Sequence, residues 1–140
     1  MKIQSQTDLA EIAELLAQCA LSSVDLADGS AYWGIRYKDA LIAVIGIELH
    51  STTGLLRSLA VHPDFQQRGI ARCLLSALED HAVSQKLGAL YLFTTTAAGF
   101  FARYGYQQTE RASAPSEIQA TRQFAGLCPA SAKLMVKQFA

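Results

Sequence analysis

Hydrophobic spacing changes period several times along this chain, and each change marks an element. Residues 2–4 make a short strand candidate. Thr7 or Asp8 can cap a following helix, with Glu11 three residues beyond Asp8 as in a capping box. Leu9, Ile12, Ala13, Leu16 and Ala20 then recur at the spacing of one helix face. Residues 22–30 carry the Ser, Asp and Gly of a loop. Residues 32–37 are an aromatic-rich strand, Lys38-Asp39 a tight turn, and residues 40–49 the second strand of a hairpin. The run from Leu41 to Ile47 does not alternate, which predicts burial on both faces. Residues 55–61 form a central strand that Pro63 stops, because proline cannot extend a sheet ladder.

Helical spacing returns at Ile70, Cys73, Leu74, Ala77 and Leu78, and this helix ends near Lys86-Leu87-Gly88 with glycine just past it. A strand over 89–94, a short helix over 97–104 stopped by Gly105, and a strand over 106–109 follow. Pro115 opens a last helix reaching about Phe124, Gly126 ends it, and residues 132–139 close the chain as a strand. The order predicts a mixed α+β fold, one domain over residues 1–140.

Composition narrows the function classes. The chain has 140 residues, is 51% hydrophobic, and carries a formal net charge of zero. That is core enough for one domain and lacks the basic excess of a nucleic-acid binder. No apolar run reaches membrane-spanning length and the N-terminus lacks a signal-peptide pattern, so a soluble, cytoplasmic domain is expected. Cys19, Cys73 and Cys128 are too widely spaced to suggest a metal centre, and the first two are expected to be buried on apolar helix faces.

The candidate chemistry lies between the central strand and the long helix. The first turn of a helix leaves backbone N–H groups without intrahelical acceptors and carries partial positive charge, so it suits a pyrophosphate. Gly69 and small Ala71 keep that turn open, and Arg68 and Arg72 add charge-assisted donors. Gln66-x-x-Gly69-x-Ala71, preceded by Leu59-x-Val61-x-Pro63, resembles the acetyl-coenzyme A signature of the GNAT superfamily of N-acetyltransferases. Thr94-x-x-Ala97-x-x-Phe100-Phe101-x-x-x-Gly105-Tyr106 resembles that family's second signature, with Thr94 where Asn is usual and Phe101 where many members have a proton-donating Tyr. Residues 55–59, 90–103 and 124–132 further resemble the arsenic-resistance N-acetyltransferase subfamily.

The resemblance implies the GNAT fold, a mostly antiparallel mixed sheet flanked by helices and splayed in a V between two parallel strands. It implies acetyl-CoA as cofactor, held by Leu59, Ala60 and Val61, by Gln66, Gln67, Arg68, Gly69, Ile70 and Ala71, and by Thr94 and Phe101. It implies a small-molecule amine as acceptor, an arsenic or amino-acid analogue among the options, with neither nucleic acid nor membrane as partner and a homodimer allowed. A non-catalytic acyl-CoA sensor and a protein or peptide acetyltransferase are the alternatives. Glu48 and Tyr104 are the candidate proton-transfer groups, with Tyr91 a further donor. His50, Arg57, Ser58 and Thr95 are candidate acceptor contacts, and Asp25, Asp28 and Thr96 are weaker ones. Arg57, a charge within an apolar run, is either a bidentate reader of an acceptor anion or one half of a salt bridge to Glu48. Strand alternation would place it on one face with Leu59 and Val61.

Overall fold

The structure, a computed structural model, describes residues 2–21, 23, 26, 30–121, 124 and 131–139. Its strands are β1 (Ile3–Gln6), β2 (Ala31–Tyr37), β3 (Ala40–Leu49), β4 (Thr53–Val61), β5 (Ala89–Thr94), β6 (Gln107–Thr109) and β7 (Lys133–Gln138). They hydrogen-bond in the order β1-β2-β3-β4-β5-β7-β6. The helices are α1 (Leu9–Gln18), α2 (Ile70–Ser84), α3 (Ala98–Arg103) and α4 (Ser116–Gln119). The ladders β1–β2, β2–β3, β5–β7 and β6–β7 are antiparallel, and β4–β5 is parallel. This is the mixed α+β arrangement that the element order predicts, with the mostly antiparallel sheet that the resemblance implies. Registered parallel pairing joins Thr53 to Ala89, Gly54 to Leu90 and Leu55 to Tyr91, whereas β4 runs on to Val61 and β5 to Thr94.

The chain forms two compact units, one of Met1–Glu48 with Leu56–His81, the other of Leu49–Leu55 with Ala82–Ala140. In the first, Asp8 caps α1 by accepting from the Glu11 N–H at 3.1 Å, half of the expected capping box. Ile12, Leu15 and Leu16 then bury one helix face with Tyr32, Leu41, Val44 and Ala60. Arg36 on β2 forks onto the Glu11 carboxylate and also donates to Gln6 Oε1 at 3.0 Å, fixing α1 to the edge of the sheet. Lys38 and Asp39 both have positive φ, 50° and 66°, as the two central residues of a twist-matched two-residue hairpin do. Ile42 through Ile47 are buried without interruption, as the unbroken apolar run predicts.

In the second unit Leu55, Ala89, Tyr91, Ala114, Ile118 and Leu134 form the core. Its polar anchor is Glu117, which the sequence reading does not single out. The carboxylate of this α4 residue accepts from the Ser51 N–H and from the hydroxyls of Ser51, Thr52 and Thr53, each at 2.9 Å. The three residues that turn the chain from β3 into β4 are thereby tied to α4.

Three expectations are corrected. The stop of α2 lies at Lys86 and not at Gly88. Lys86 takes the left-handed position (φ 61°), with its N–H on Val83 O and the Leu87 N–H on Ala82 O, the paired bonds of a Schellman cap. Gly88 instead donates to Thr52 O and accepts from the Phe139 N–H. The α-helix opened by Pro115 ends at Gln119, because Thr121 turns both its N–H and its hydroxyl back onto Ile118 O, whereas Phe124, the expected end, is helical with a π turn. Cys73 is exposed, since the buried face of α2 is built by Ile70, Leu74, Leu75 and Leu78. Cys128 and the proposed stop at Gly126 lie outside the described residues. Among the described residues no helix is long and apolar enough to cross a membrane.

The Glu117 anchor should be visible in solution. Burial alone would push its carboxyl pKa up, but hydrogen bonds from Thr52, Thr53 and Ser51 outweigh this and hold it below the ordinary range. Its stabilisation is therefore complete above the ordinary carboxyl pKa of about 4.3 and is lost as pH falls through the lower folded-state value. Glu117→Gln should cost about 1–2 kcal/mol at neutral pH, and melting curves should show a Tm lower by about 3–7 °C. The gap between variant and wild type should narrow as pH falls below the ordinary carboxyl pKa and close as it passes through the lower folded-state value. A gap that does not narrow as the pH falls would mean that the carboxylate is not the anchor.

Candidate active site

Three left-handed residues shape the passage from β4 into α2: Ser58 (φ 57°), Gln67 (φ 63°) and Gly69 (φ 78°). Ser58 lies inside the strand, where such a φ breaks the regular alternation as a bulge does. The expectation that Arg57 shares a face with Leu59 and Val61 therefore does not hold across it. Arg57 is 3% exposed, whereas Leu59 and Val61 are half-buried.

Beyond Val61 the chain is held by short bonds. The His62 N–H donates to Ile42 O at 2.7 Å, His62 Nδ1 accepts from the Asp64 N–H at 3.1 Å, and Pro63–Phe65 make one 3₁₀ turn. The Gln66 side-chain amide donates to Val61 O at 3.0 Å, and Cys19 Sγ donates to the same oxygen at 3.4 Å. Burial raises the Cys19 thiol pKa. Cys19 at this point is not anticipated by its helical spacing, because it sits one residue past the end of α1.

The first main-chain bond of α2 runs from the Cys73 N–H to Gly69 O at 3.1 Å. Helix geometry thus leaves the N–H groups of Gly69, Ile70, Ala71 and Arg72 without intrahelical acceptors. A Cβ built on Gly69 would meet nothing within 4 Å, so the protein itself leaves open space over this turn. Glycine is required here by φ, and the open space lets a ligand reach the backbone. Gln66, Gln67, Arg68 and Gly69 are exposed, Ala71 is half-buried, and Ile70 anchors the turn in the core. Every residue of the predicted pyrophosphate turn is thereby brought together in one unit.

Arg57 has the salt bridge that was one of its two readings. Its Nη1 lies 3.6 Å from Glu48 Oε1 and donates to Ser30 Oγ at 3.4 Å, and the two charged side chains are 1% and 13% exposed. Gly46 makes the room: a Cβ there would lie 2.5 Å from the Tyr32 ring and 3.3 Å from Arg57 Cγ. Ser30 had no sequence signal beyond membership of a polar loop, and Asp25 and Asp28 lie outside the described residues.

The second unit holds the remaining candidates. His50 donates its N–H to Thr53 O at 2.9 Å, and its Nε2 is buried. Thr94 Oγ1 accepts from the Ala97 N–H at 2.9 Å, so its hydroxyl organises the start of α3. Thr95 and Thr96 are exposed just beyond β5. Phe101 is 5% exposed and stands edge-on to Phe100 and Tyr106, with ring centroids 5.2 and 5.6 Å away. Its position is a packing one. Tyr104 is half-buried beside Phe100, and its carbonyl accepts from Lys137 Nζ at 3.0 Å. Burial, and then the negative charge of Glu117, push the Tyr91 hydroxyl pKa up. Among the described residues no group of three or more His, Cys, Asp or Glu side chains is arranged to hold a metal ion.

Comparison with known proteins agrees with this reading. A family model describing the acetyltransferase (GNAT) domain matches residues 28–108, which include the whole of the β4–α2 passage. The uncharacterized N-acetyltransferase CT2212 of Chlorobaculum tepidum is 34% identical over 83 residues, 59% of this chain and 53% of that protein. The chain thus spans about half the length of the curated relative it matches. Among solved structures, Rv2747 from Mycobacterium tuberculosis, in complex with CoA and NLQ, superposes with a TM-score of 0.81 at 18% identity over 100% of both chains. N-acetylglutamate synthase from Neisseria gonorrhoeae, complexed with coenzyme A and N-acetyl-glutamate, gives 0.79 at 18% identity over 99% of this chain and 35% of that one. At such identities the two structures establish likeness of fold, and the family model adds the sequence match: the chain belongs to the acetyltransferase (GNAT) domain family.

Proposed function

We propose that this chain binds acetyl-CoA along β4 and the start of α2 and transfers its acetyl group to the amine of a small, anion-bearing acceptor. The observation that carries the proposal is the turn from Gln66 to Ala71, where left-handed Gln67 and Gly69, open space over Gly69 and the donors of a helix N-terminus coincide. Convergent main-chain N–H groups suit a pyrophosphate. Arg68 and Arg72 reinforce them, and the backbone of Leu59, Ala60 and Val61 holds the pantetheine arm beside the bulge at Ser58. The family membership and the CoA complexes of structural neighbours support the same cofactor.

Acetyl-CoA supplies an activated thioester, and the protein's task is to orient an amine against it. Glu48, whose carboxylate lies 3.6 Å from Arg57 Nη1, is the group suited to take the proton of the incoming ammonium. The amine nitrogen bonds to the acetyl carbon, the carbon–sulfur bond breaks, and the thiolate leaves. Phe101 has no proton to give, and water protonates the thiolate. Arg57 and Glu48 present opposite charges side by side, an arrangement suited to an acceptor with both ammonium and anion. Amino acids and their phosphorus or arsenic analogues have that chemistry. One structural neighbour, the N-acetylglutamate synthase complexed with N-acetyl-glutamate and also with L-arginine, supports an amino acid. The subfamily resemblance favours an arsenical.

Three measurements test this reading. At a hundredfold excess over its Kd, acetyl-CoA should stabilise the protein by about 2.7 kcal/mol, read as a rise in Tm. Gly69→Glu should abolish the rise by placing an anion in the turn, whereas Gly69→Asn, which tolerates a left-handed backbone, should retain part of it. An unchanged rise in the Glu variant would place the pyrophosphate elsewhere.

In a thiol-release assay across amino acids, amino-phosphonates, amino-arsenicals, polyamines and peptides, the best acceptor should carry an anion. Arg57→Lys should then raise its KM about tenfold or more with acetyl-CoA binding unchanged. A best acceptor that is uncharged or cationic, together with a kinetically silent Arg57→Lys, would rule out the anionic acceptor.

Phe101→Tyr should lower Tm, because it puts a hydroxyl into an aromatic cluster, and should change turnover by less than about tenfold. A hundredfold gain would show that the missing acid limits the chain, and would favour a binding role for the natural protein.

A further inference from the structure

A second cationic feature adjoins the pyrophosphate turn and shares Arg68 with it. Tyr37, at the tip of the β2–β3 hairpin, is 46% exposed, large for an aromatic ring. It stands edge-on to Phe65, with centroids 5.4 Å apart and planes at 62°. Each ring carries a cation: Lys38 Nζ lies 5.3 Å from the Tyr37 centroid, and Arg68 Cζ lies 5.4 Å from that of Phe65. All four residues belong to the same compact unit, and Phe65 and Arg68 are part of the segment that delivers the chain to Gly69.

Backbone geometry holds this platform in place. Lys38 is one of the two left-handed residues of a two-residue turn, and the hydrogen bond from the His62 N–H to Ile42 O fastens the loop that carries Phe65 to β3. Asp39 acts on Arg36, and Asp64 Oδ2 lies 3.9 Å from His62 Nδ1. A lysine and an arginine held on aromatic faces keep their charge while losing rotamer freedom, so an anion that meets them costs less ordering.

Coenzyme A carries two separate anionic groups, the pyrophosphate and the 3′-phosphate of its ribose. The N–H groups of α2 answer the first. We infer that the Tyr37–Phe65 platform, through Lys38 with Arg68 beside it, answers the second, and so makes the protein distinguish coenzyme A from dephospho-coenzyme A. The inference rests on the cofactor reading above. Tyr37 offers an exposed ring to the adenosine end of the ligand, and Lys38 offers the charge that a phosphate dianion requires.

The two ligands differ only in that phosphate, so their dissociation constants in calorimetry at low ionic strength provide the test. Wild type should bind coenzyme A at least tenfold more tightly than dephospho-coenzyme A. Lys38→Gln removes the charge from an exposed turn residue, and should weaken coenzyme A at least fivefold while leaving dephospho-coenzyme A within twofold. Tyr37→Leu should narrow the ratio in the same direction, and raising the salt to 0.5 M should narrow it for wild type alone. Equal affinity of wild type for both ligands would overturn this inference and leave the cofactor reading standing. So would a Lys38→Gln variant weakened equally for both, since the lysine would then serve the pyrophosphate. Heat from neither ligand would overturn both readings.

Discussion

A helix cannot satisfy its own first N–H groups, and residues 57 to 73 are arranged around that deficit. Most helices meet it with a side-chain cap, as Asp8 does for α1. At α2 the residue in the cap position is Gly69, which has no side chain, and the turn over it is open. The donors are left for a ligand while everything beneath them is tightened. Ile70 is buried, the Gln66 amide is turned back onto Val61 O, and His62 is tied to Ile42. The loop is hydrogen-bonded where it meets the protein and open where it faces outward. That contrast is what the proposed binding role requires of a strand-to-helix connection.

The second constraint is a charge in an apolar strand. A guanidinium as deeply buried as that of Arg57 is tolerable only with partners, and the fold supplies Glu48 and Ser30. The space for its stem comes from a glycine, since Gly46 leaves room for the Tyr32 ring and for Arg57 Cγ at once. Replacing such a pair with apolar side chains is often neutral or stabilising, so stability alone gives weak reason for it. The proposed acceptor site gives it another use, since the pair fixes the direction of one carboxylate and one guanidinium.

Much of this was legible in the sequence, because the signals were local. Strand and helix periods, the Lys38-Asp39 turn and the glutamine–glycine motif depend on neighbours a few residues apart. What was missed depends on residues far apart in sequence. Glu117 meets Ser51–Thr53 more than sixty residues away, and no helical or strand period announces that meeting. The left-handed φ at Ser58 was equally hidden, since serine carries no signal for it, and it reversed the deduction about which face Arg57 shares. The α2 stop was misplaced for a different reason. Gly88 looked like the cap residue, yet Lys86 accepted the left-handed conformation and Gly88 was committed to bonds with Thr52 and Phe139.

Left-handed backbone outside glycine costs roughly 1–2 kcal/mol per residue, so its location is informative. Lys38 and Asp39 have the two positions of a hairpin turn, and Ala20 and Lys86 each follow a helix end. Those four have a structural duty, reversing or ending an element. Ser58 and Gln67 have none: one lies inside a strand that continues to Val61, the other between a 3₁₀ turn and Gly69. Strain that ends no element persists only where surrounding structure over-determines it. Here it flanks the stretch from Leu59 to Gln66 on both sides, the segment that leads from the sheet to the open first turn of α2.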